Sequence, residues 1–373
     1  MMIWRKDGKI TDGRTPLHAA AFNGHVDAIN ALITTHGCDK NAKATNGSTP
    51  LHAAAFNGHV DAINTLIGLG CDKDAKTTNG QTSLHAAAEN GHVNAINVLI
   101  TTHGCDKDAK ATNGLTPLHT AAFNGHVNAI NALITTHGCD KNAKATNGST
   151  PLHNAAFNGH VNAINTLIGL GCDKEAKDND GWTPLHDAAF NGHVNTINAL
   201  ITTHGCDKDT KTNIGTTSLH FAAQNGHVNA INKLVELGCD KNAKTTNGST
   251  SLHNAAFNGH VNTINALLQN NVKTFSTIIR SPLEHAHRLN KTDVVIAIQN
   301  HILEKLRERS NTSCCVCIEN IPQNSINQAQ EKYFLIADRC CNICICIDCK
   351  NNVMRSAPAR RTCPACRADW KVL

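Results

Sequence analysis

Eight glycines, Gly13, Gly47, Gly80, Gly114, Gly148, Gly181, Gly215 and Gly248, each open the same phrase, G-x-T-[PS]-L-H-x-A-A, at steps of 33 or 34 residues. A unit of this length is one supersecondary element that cannot bury its apolar face alone, so copies must stack into a continuous core. Within the first copy, Thr15 is placed to cap a helix that starts at Pro16, where a missing N–H costs nothing. Leu17, Ala20 and Ala21 follow at helical spacing, and Asn23-Gly24 ends the helix. A second helix is expected over 26–33, with Val26, Ile29, Leu32 and Ile33 on one face and Gly37 stopping it. Copies that end Thr-Thr-His-Gly-Cys, as at 34–38, are one residue longer than those that end Gly-Leu-Gly-Cys, as at 68–71. The extra residue is expected in the loop, where insertions are cheap.

These landmarks, Thr15-Pro16-Leu17-His18, Asn23-Gly24-His25 and Gly37-Cys38-Asp39, resemble those of ankyrin repeats. A decayed ninth copy around Ser281, Pro282, Leu283 and Ala286, followed by Thr292 to Val295, looks like that family's terminal cap. The resemblance implies a mostly α solenoid of about eight full repeats plus this degenerate C-terminal cap, over residues 1–303.

The rest of the chain is cysteine-rich. Ten of the seventeen cysteines fall between Cys314 and Cys366. They form Cys314-x2-Cys317, a cluster at Cys340, Cys341, Cys344, Cys346 and Cys349, and Cys363-Pro-Ala-Cys366. Short CxxC chelate loops suit tetrahedral Zn²⁺, and so small a stretch has too little apolar material to fold without metal. The spacing reads as a module for two zinc ions over residues 313–373, joined to the repeats by a charged linker at 304–312.

That module resembles the RING finger of E3 ubiquitin ligases, in its all-cysteine variant, and implies a small α+β cross-brace domain. By resemblance, Cys314, Cys317, Cys346 and Cys349 share the first zinc. Cys363 and Cys366 share the second with Cys341 and either Cys340 or Cys344; Cys315 is a spare thiol. Ile343 stands where most of the family has a histidine ligand. Residues corresponding to the surface for a ubiquitin-conjugating enzyme (E2) are Val316, Val353 and Pro364, with Arg367 as the cation that bridges E2 and ubiquitin. The implied activity is ubiquitin transfer to a substrate lysine by positioning a charged E2, with no covalent step on this chain. The same resemblance leaves room for a RING-mediated homodimer. The competing reading is a non-enzymatic ankyrin scaffold whose zinc module dimerises or docks.

The remaining features bound the alternatives. Seven cysteines, Cys38, Cys71, Cys105, Cys139, Cys172, Cys206 and Cys239, recur once per repeat and read as small buried residues in a reducing compartment. Most of the 23 histidines are copies of the repeat's own, and read as hydrogen-bonding ties between neighbours. The net charge of residues 1–272 is −1 and that of 273–373 is +6, before two Zn²⁺ and eight thiolates bring the tail near +2. That is too little for a phosphate-tracking surface, so nucleic acid is not an expected partner. No stretch approaches the ~20 apolar residues of a membrane span, and residues 1–10 lack a signal-peptide core. A soluble protein of the cytoplasm, or of the nucleus, is expected.

Ankyrin arrays bind protein partners on a concave face built from turn tips and first helices. The copies here differ from one another mainly after the phrase's Gly and after its His. Leu115, Trp182, Asp187, Ile214 and Phe221 are the large or charged exceptions, and are expected to be exposed contacts for a protein substrate.

Overall fold

A computed structural model describes residues 11–270 and 282–309. The chain divides into two compact units at residue 286, and the first holds the eight repeats. Each repeat is a finger-like turn followed by two antiparallel helices, with no strand among the described residues. The first helix of repeat one, Pro16–Phe22, starts where the threonine expected as its cap, Thr15, adopts extended backbone (φ −101°, ψ 167°). His18 takes the role that Glu or Gln has in a capping box: the Thr15 N–H donates to His18 Nδ1 at 3.2 Å, and the Thr15 hydroxyl lies 2.9 Å from the same nitrogen. Leu17 and Ala21 are fully buried, as is Ile29 of the second helix. Gly24 turns the chain at φ +70°, and a Cβ there would lie 2.8 Å from the ring of His59 in the next repeat. Any side chain at that glycine is therefore excluded both by backbone strain and by the neighbouring imidazole.

Consecutive first helices pack side by side, and so do consecutive second helices. Alanine dominates the first-helix interface, which permits close approach, and polar ties then fix the register between repeats. Because a backbone N–H can only donate, Nδ1 of each TPLH histidine must accept, and Nε2 carries the proton. It donates to a carbonyl of the next repeat: His18 to Ser48 (3.0 Å), His85 to Leu115 (3.0 Å) and His119 to Ser149 (3.1 Å). The NGH histidines reach the other way, His59 to the Phe22 carbonyl and His92 to that of Phe56, both at 3.0 Å. Lysines extend the pattern. Lys40 donates to the Leu69 carbonyl and Lys141 to that of Leu170, both at 2.8 Å, placing a cation at the C-terminus of the next repeat's second helix. The per-repeat cysteines are buried, and burial pushes the thiols up, to about 11 for Cys71 and about 12 for Cys139. They are inert thiols that pack, as their position in the repeat suggested.

The extra residue of the longer repeats is in the helix, not in the loop. In repeats of 33 residues the second helix is plain α, as in Val60–Gly68 and Val161–Gly169. In the four repeats of 34 that follow a helix such as Val26–Asn30, it continues as a π-helical turn: Ala31–Thr35, Val98–Thr102, Ala132–Thr136 and Ala199–Thr203. Both lengths close on the same acceptor. Cys71 N–H donates to the Leu66 carbonyl five residues back, and Cys38 N–H to the equivalent Leu32 carbonyl six back. Widening one turn thus absorbs the insertion without moving the next repeat. It also presents a histidine that the shorter repeats lack: His103, His137 and His204 sit 2.8 Å from the side-chain oxygens of Asn64, Asn97 and Asn165 in the preceding repeats.

Three repeats have serine where the others have proline at the first helical position, and the hydroxyls of Ser83, Ser218 and Ser251 are buried without a hydrogen-bond partner. Proline removes that orphan and restricts the unfolded chain at a site whose N–H has no helical partner. Ser83→Pro, Ser218→Pro and Ser251→Pro are each expected to stabilise by about 0.5–1 kcal/mol. A thermal melt of the triple variant checks this; a lower midpoint than the parent's contradicts it. Beyond the eight repeats, the decayed copy forms helices Pro282–Arg288 and Thr292–Arg309. The second is eighteen residues long, so residues 304–309, read from sequence as linker, are helical.

Candidate protein-binding face

The residue after each phrase's Gly stands on the finger, and the residue after its His stands on the first helix. In repeats one to three these positions line one groove of about 960 Å³. Arg14, Ser48 and Gln81 come from the fingers, and Ala19, Ala53 and Ala86 from the helices. Phe22 and Phe56, at the ends of their helices, also line it and are 41% and 39% exposed. Small side chains at the helix positions leave the groove open, and the aromatic rings give it apolar area to bury against a partner.

Repeats six and seven treat the same positions differently. Trp182 on the finger of repeat six and Phe221 on the first helix of repeat seven pack with ring centroids 4.0 Å apart and planes tilted by 41°, and Phe190 lies 5.4 Å from Trp182. The cluster closes with His186, edge-on to Phe221 at 5.7 Å. Phe221 is consequently only 6% exposed. The expectation that it is an exposed contact is corrected: its bulk is satisfied by Trp182 from the neighbouring repeat, and the pair fills what is open groove in repeats one to three. Trp182 remains half-buried. Asp187 lies in the first turn of the helix Pro184–Phe190. Burial, and then the negative charge of Asp178, hold its carboxyl well above the usual carboxylate range. Asp178 itself is engaged by the finger, accepting the Trp182 N–H at 2.7 Å and the Asp180 N–H at 3.0 Å.

The other two expected contacts stand apart from that cluster. Ile214 is 64% exposed on the finger of repeat seven, where its carbonyl accepts the N–H of Thr246. Leu115 is half-buried on the finger of repeat four, its carbonyl taken by His85.

A profile of ankyrin repeats (three copies) matches residues 3–77, 69–145, 133–212, 194–278 and 219–305. The chain belongs to the ankyrin-repeat family. The array is similar in fold to the crystal structure of the human ASB11 ankyrin repeat domain, with 27% sequence identity and a TM-score of 0.53 over 60% of this chain and 98% of that one. No curated protein matches the chain. An ankyrin array of this kind is a protein-interaction scaffold. Among its described residues no helix is long and apolar enough to cross a membrane.

Reading the ankyrin copies for their differences missed what they share. Phe22, Phe56, Phe123, Phe157 and Phe257 occupy one repeat position and are 39–53% exposed, an aromatic stripe along the first helices. Because the stripe is nearly constant, comparison between copies passes over it. Its signal was a large apolar residue at a helix position off the Leu17, Ala20, Ala21 face. The module at 313–373, with Cys314, Cys317, Cys340, Cys341, Cys344, Cys346, Cys349, Cys363 and Cys366, Val316, Val353, Pro364 and Arg367, lies outside the described residues.

Proposed function

We propose that the chain is an E3 ubiquitin ligase in which the ankyrin array recruits a protein substrate and residues 313–373 recruit an E2 charged with ubiquitin. One observation carries the reading. Three CxxC-type pairs in RING order share a segment with Val316 before the second ligand, Pro364 inside the last pair and Arg367 directly after it. The donor set is all thiolate, which suits two Zn²⁺ ions of structural type. Zinc would supply folding energy and rigidity there, and Arg367, with its planar set of donors, would hold E2 and ubiquitin in the reactive arrangement. The array's part is proximity: a substrate held on its groove face raises the effective concentration of its lysines at the thioester.

The test is an in-vitro ubiquitination assay of the full chain with E1, a panel of E2s, ubiquitin and ATP. Self-ubiquitination that is abolished by Cys314→Ser and reduced at least tenfold by Arg367→Ala is the expected result. Silence across the panel from zinc-loaded protein would instead leave a binding scaffold.

A further inference from the structure

Phe22, Phe56 and Glu89 are three consecutive copies of one repeat position, and all three line the open groove of repeats one to three. Each is the last residue of its repeat's first helix, and these helices pack side by side in order. Two aromatic rings and a carboxylate therefore stand in a row, at the usual step of about 8–10 Å between packed helices. Their backbones are committed to the stack, because each carbonyl accepts Nε2 of a histidine in the next repeat: His59, His92 and His126. Their side chains are not. The rings are 41% and 39% exposed, and the exposed Glu89 carboxylate has no hydrogen bond or ion pair among the described residues. Glu89 is the one acid among the described residues lining the groove, whose other fixed charge, Arg14, is neutralised by Asp12 at 2.7 Å. The groove thus offers two apolar contacts followed by an unpaired negative charge, at even spacing.

That spacing selects among peptide conformations. In a β-strand, residues three apart are separated by about 10 Å but point to opposite faces. An α-helix returns to one face after seven residues, about 10.5 Å, but is about 10–12 Å thick with its side chains. Spread over the two steps between three helices, about 16–20 Å, a groove of about 960 Å³ is about 8 Å across, too narrow to enclose a helix. A polyproline-II segment is thinner and places every third side chain on one edge, about 9.3 Å apart. It has no internal hydrogen bonds, so its carbonyls need donors from outside. The side-chain amides of Asn79 and Gln81, on the finger of repeat three, line the groove and donate to no group among the described residues. We propose that this groove receives a polyproline-II segment of a protein partner. Proline or aliphatic residues three apart pack on Phe22 and Phe56, and a lysine or arginine three residues beyond them pairs with Glu89. The site deepens the recruiting role given to the array under the proposed function and rests on that role, not on ubiquitin transfer.

A random dodecapeptide library displayed on phage is the probe, selected in parallel on the full chain, on the full-length double variant Phe22→Ala/Phe56→Ala and on full-length Glu89→Lys. Peptides weakened at least tenfold by the double variant are expected to share a proline or aliphatic pair three residues apart with a basic residue three further on. Glu89→Lys is expected to select an acidic residue at that last position instead, a gain of new specificity that misfolding cannot produce. All three substitutions replace exposed side chains and leave the carbonyl ties in place, so thermal melts of the variants are expected to match the parent's. The proposal is overturned if no selected peptide depends on the two phenylalanines, or if the dependent peptides carry apolar residues seven apart, as a helix would. It is also overturned if Glu89→Lys still selects the basic residue. No ubiquitin is involved, so a failed ligase assay leaves this result readable.

Discussion

Acidification from pH 7 to pH 5 is expected to unfold the repeat array in one steep step, followed by helical circular dichroism at 222 nm. Burial lowers the pKa of the TPLH histidines, to about 4 for His85, His119, His186 and His220, and in the same direction for His52 and His153. The geometry gives a second reason. Nδ1 accepts the N–H of Thr82 in repeat three and of Thr116 in repeat four, so a proton on that nitrogen would face another donor. An unfolded chain titrates these rings near 6.5. Their folded pKa is depressed, so the unfolded state takes up protons between about 6.5 and 4 while the native state does not. Stability is therefore full above that window and lost as the pH falls through it. At pH 5 each ring shifted to about 4 costs about 2 kcal/mol, and four of them about 8 kcal/mol, which is comparable with the whole stability of a typical domain. Asp187 works in the opposite sense, since its raised pKa favours the native state in acid, but it is one group against several. Retention of the full helical signal down to pH 4 would show that these rings are protonated without unfolding.

Most of this architecture was legible because a repeat states its own rules eight times. The threonine cap, the proline or serine at the first helical position, the apolar face through Leu17, Ala20 and Ala21 and the glycine turn all rest on local physical chemistry that a short window contains. Two features were not local. A one-residue length difference in sequence does not reveal whether a loop or a helix receives it; the decision falls to the shared Leu32 and Leu66 acceptors, which hold the helix end in place and force the turn between them to widen. Exposure at the candidate site depends in the same way on pairing across repeats. Trp182 and Phe221 differ by more than one repeat in sequence, and only stacking brings their rings to 4.0 Å. Read alone, each looked like a surface anchor; together they cover one another.

The same dependence on neighbours sets the largest expected effect of a single substitution. His119→Ala, in repeat four, is expected to destabilise by about 3–5 kcal/mol and to split urea unfolding into two transitions. His119 is fully buried. Its loss strands the buried N–H of Thr116 at the helix start, removes a partner of the Thr116 hydroxyl, and takes one of two donors from the Ser149 carbonyl of the next repeat, which keeps only the Ala145 N–H. Repeats on either side keep their own links, including the finger bonds from Thr112 N–H to the Asn79 carbonyl and from Asn179 N–H to that of Asn147. In a quasi-one-dimensional array the stability of each block is its own repeats plus the interfaces between them, so weakening a central interface uncouples two blocks that had melted together. A single transition, displaced to lower urea with an unchanged slope, would instead place the cooperativity in the apolar stack of Leu118, Ala121 and Ala122. The polar ladder would then act only to set the register of that stack.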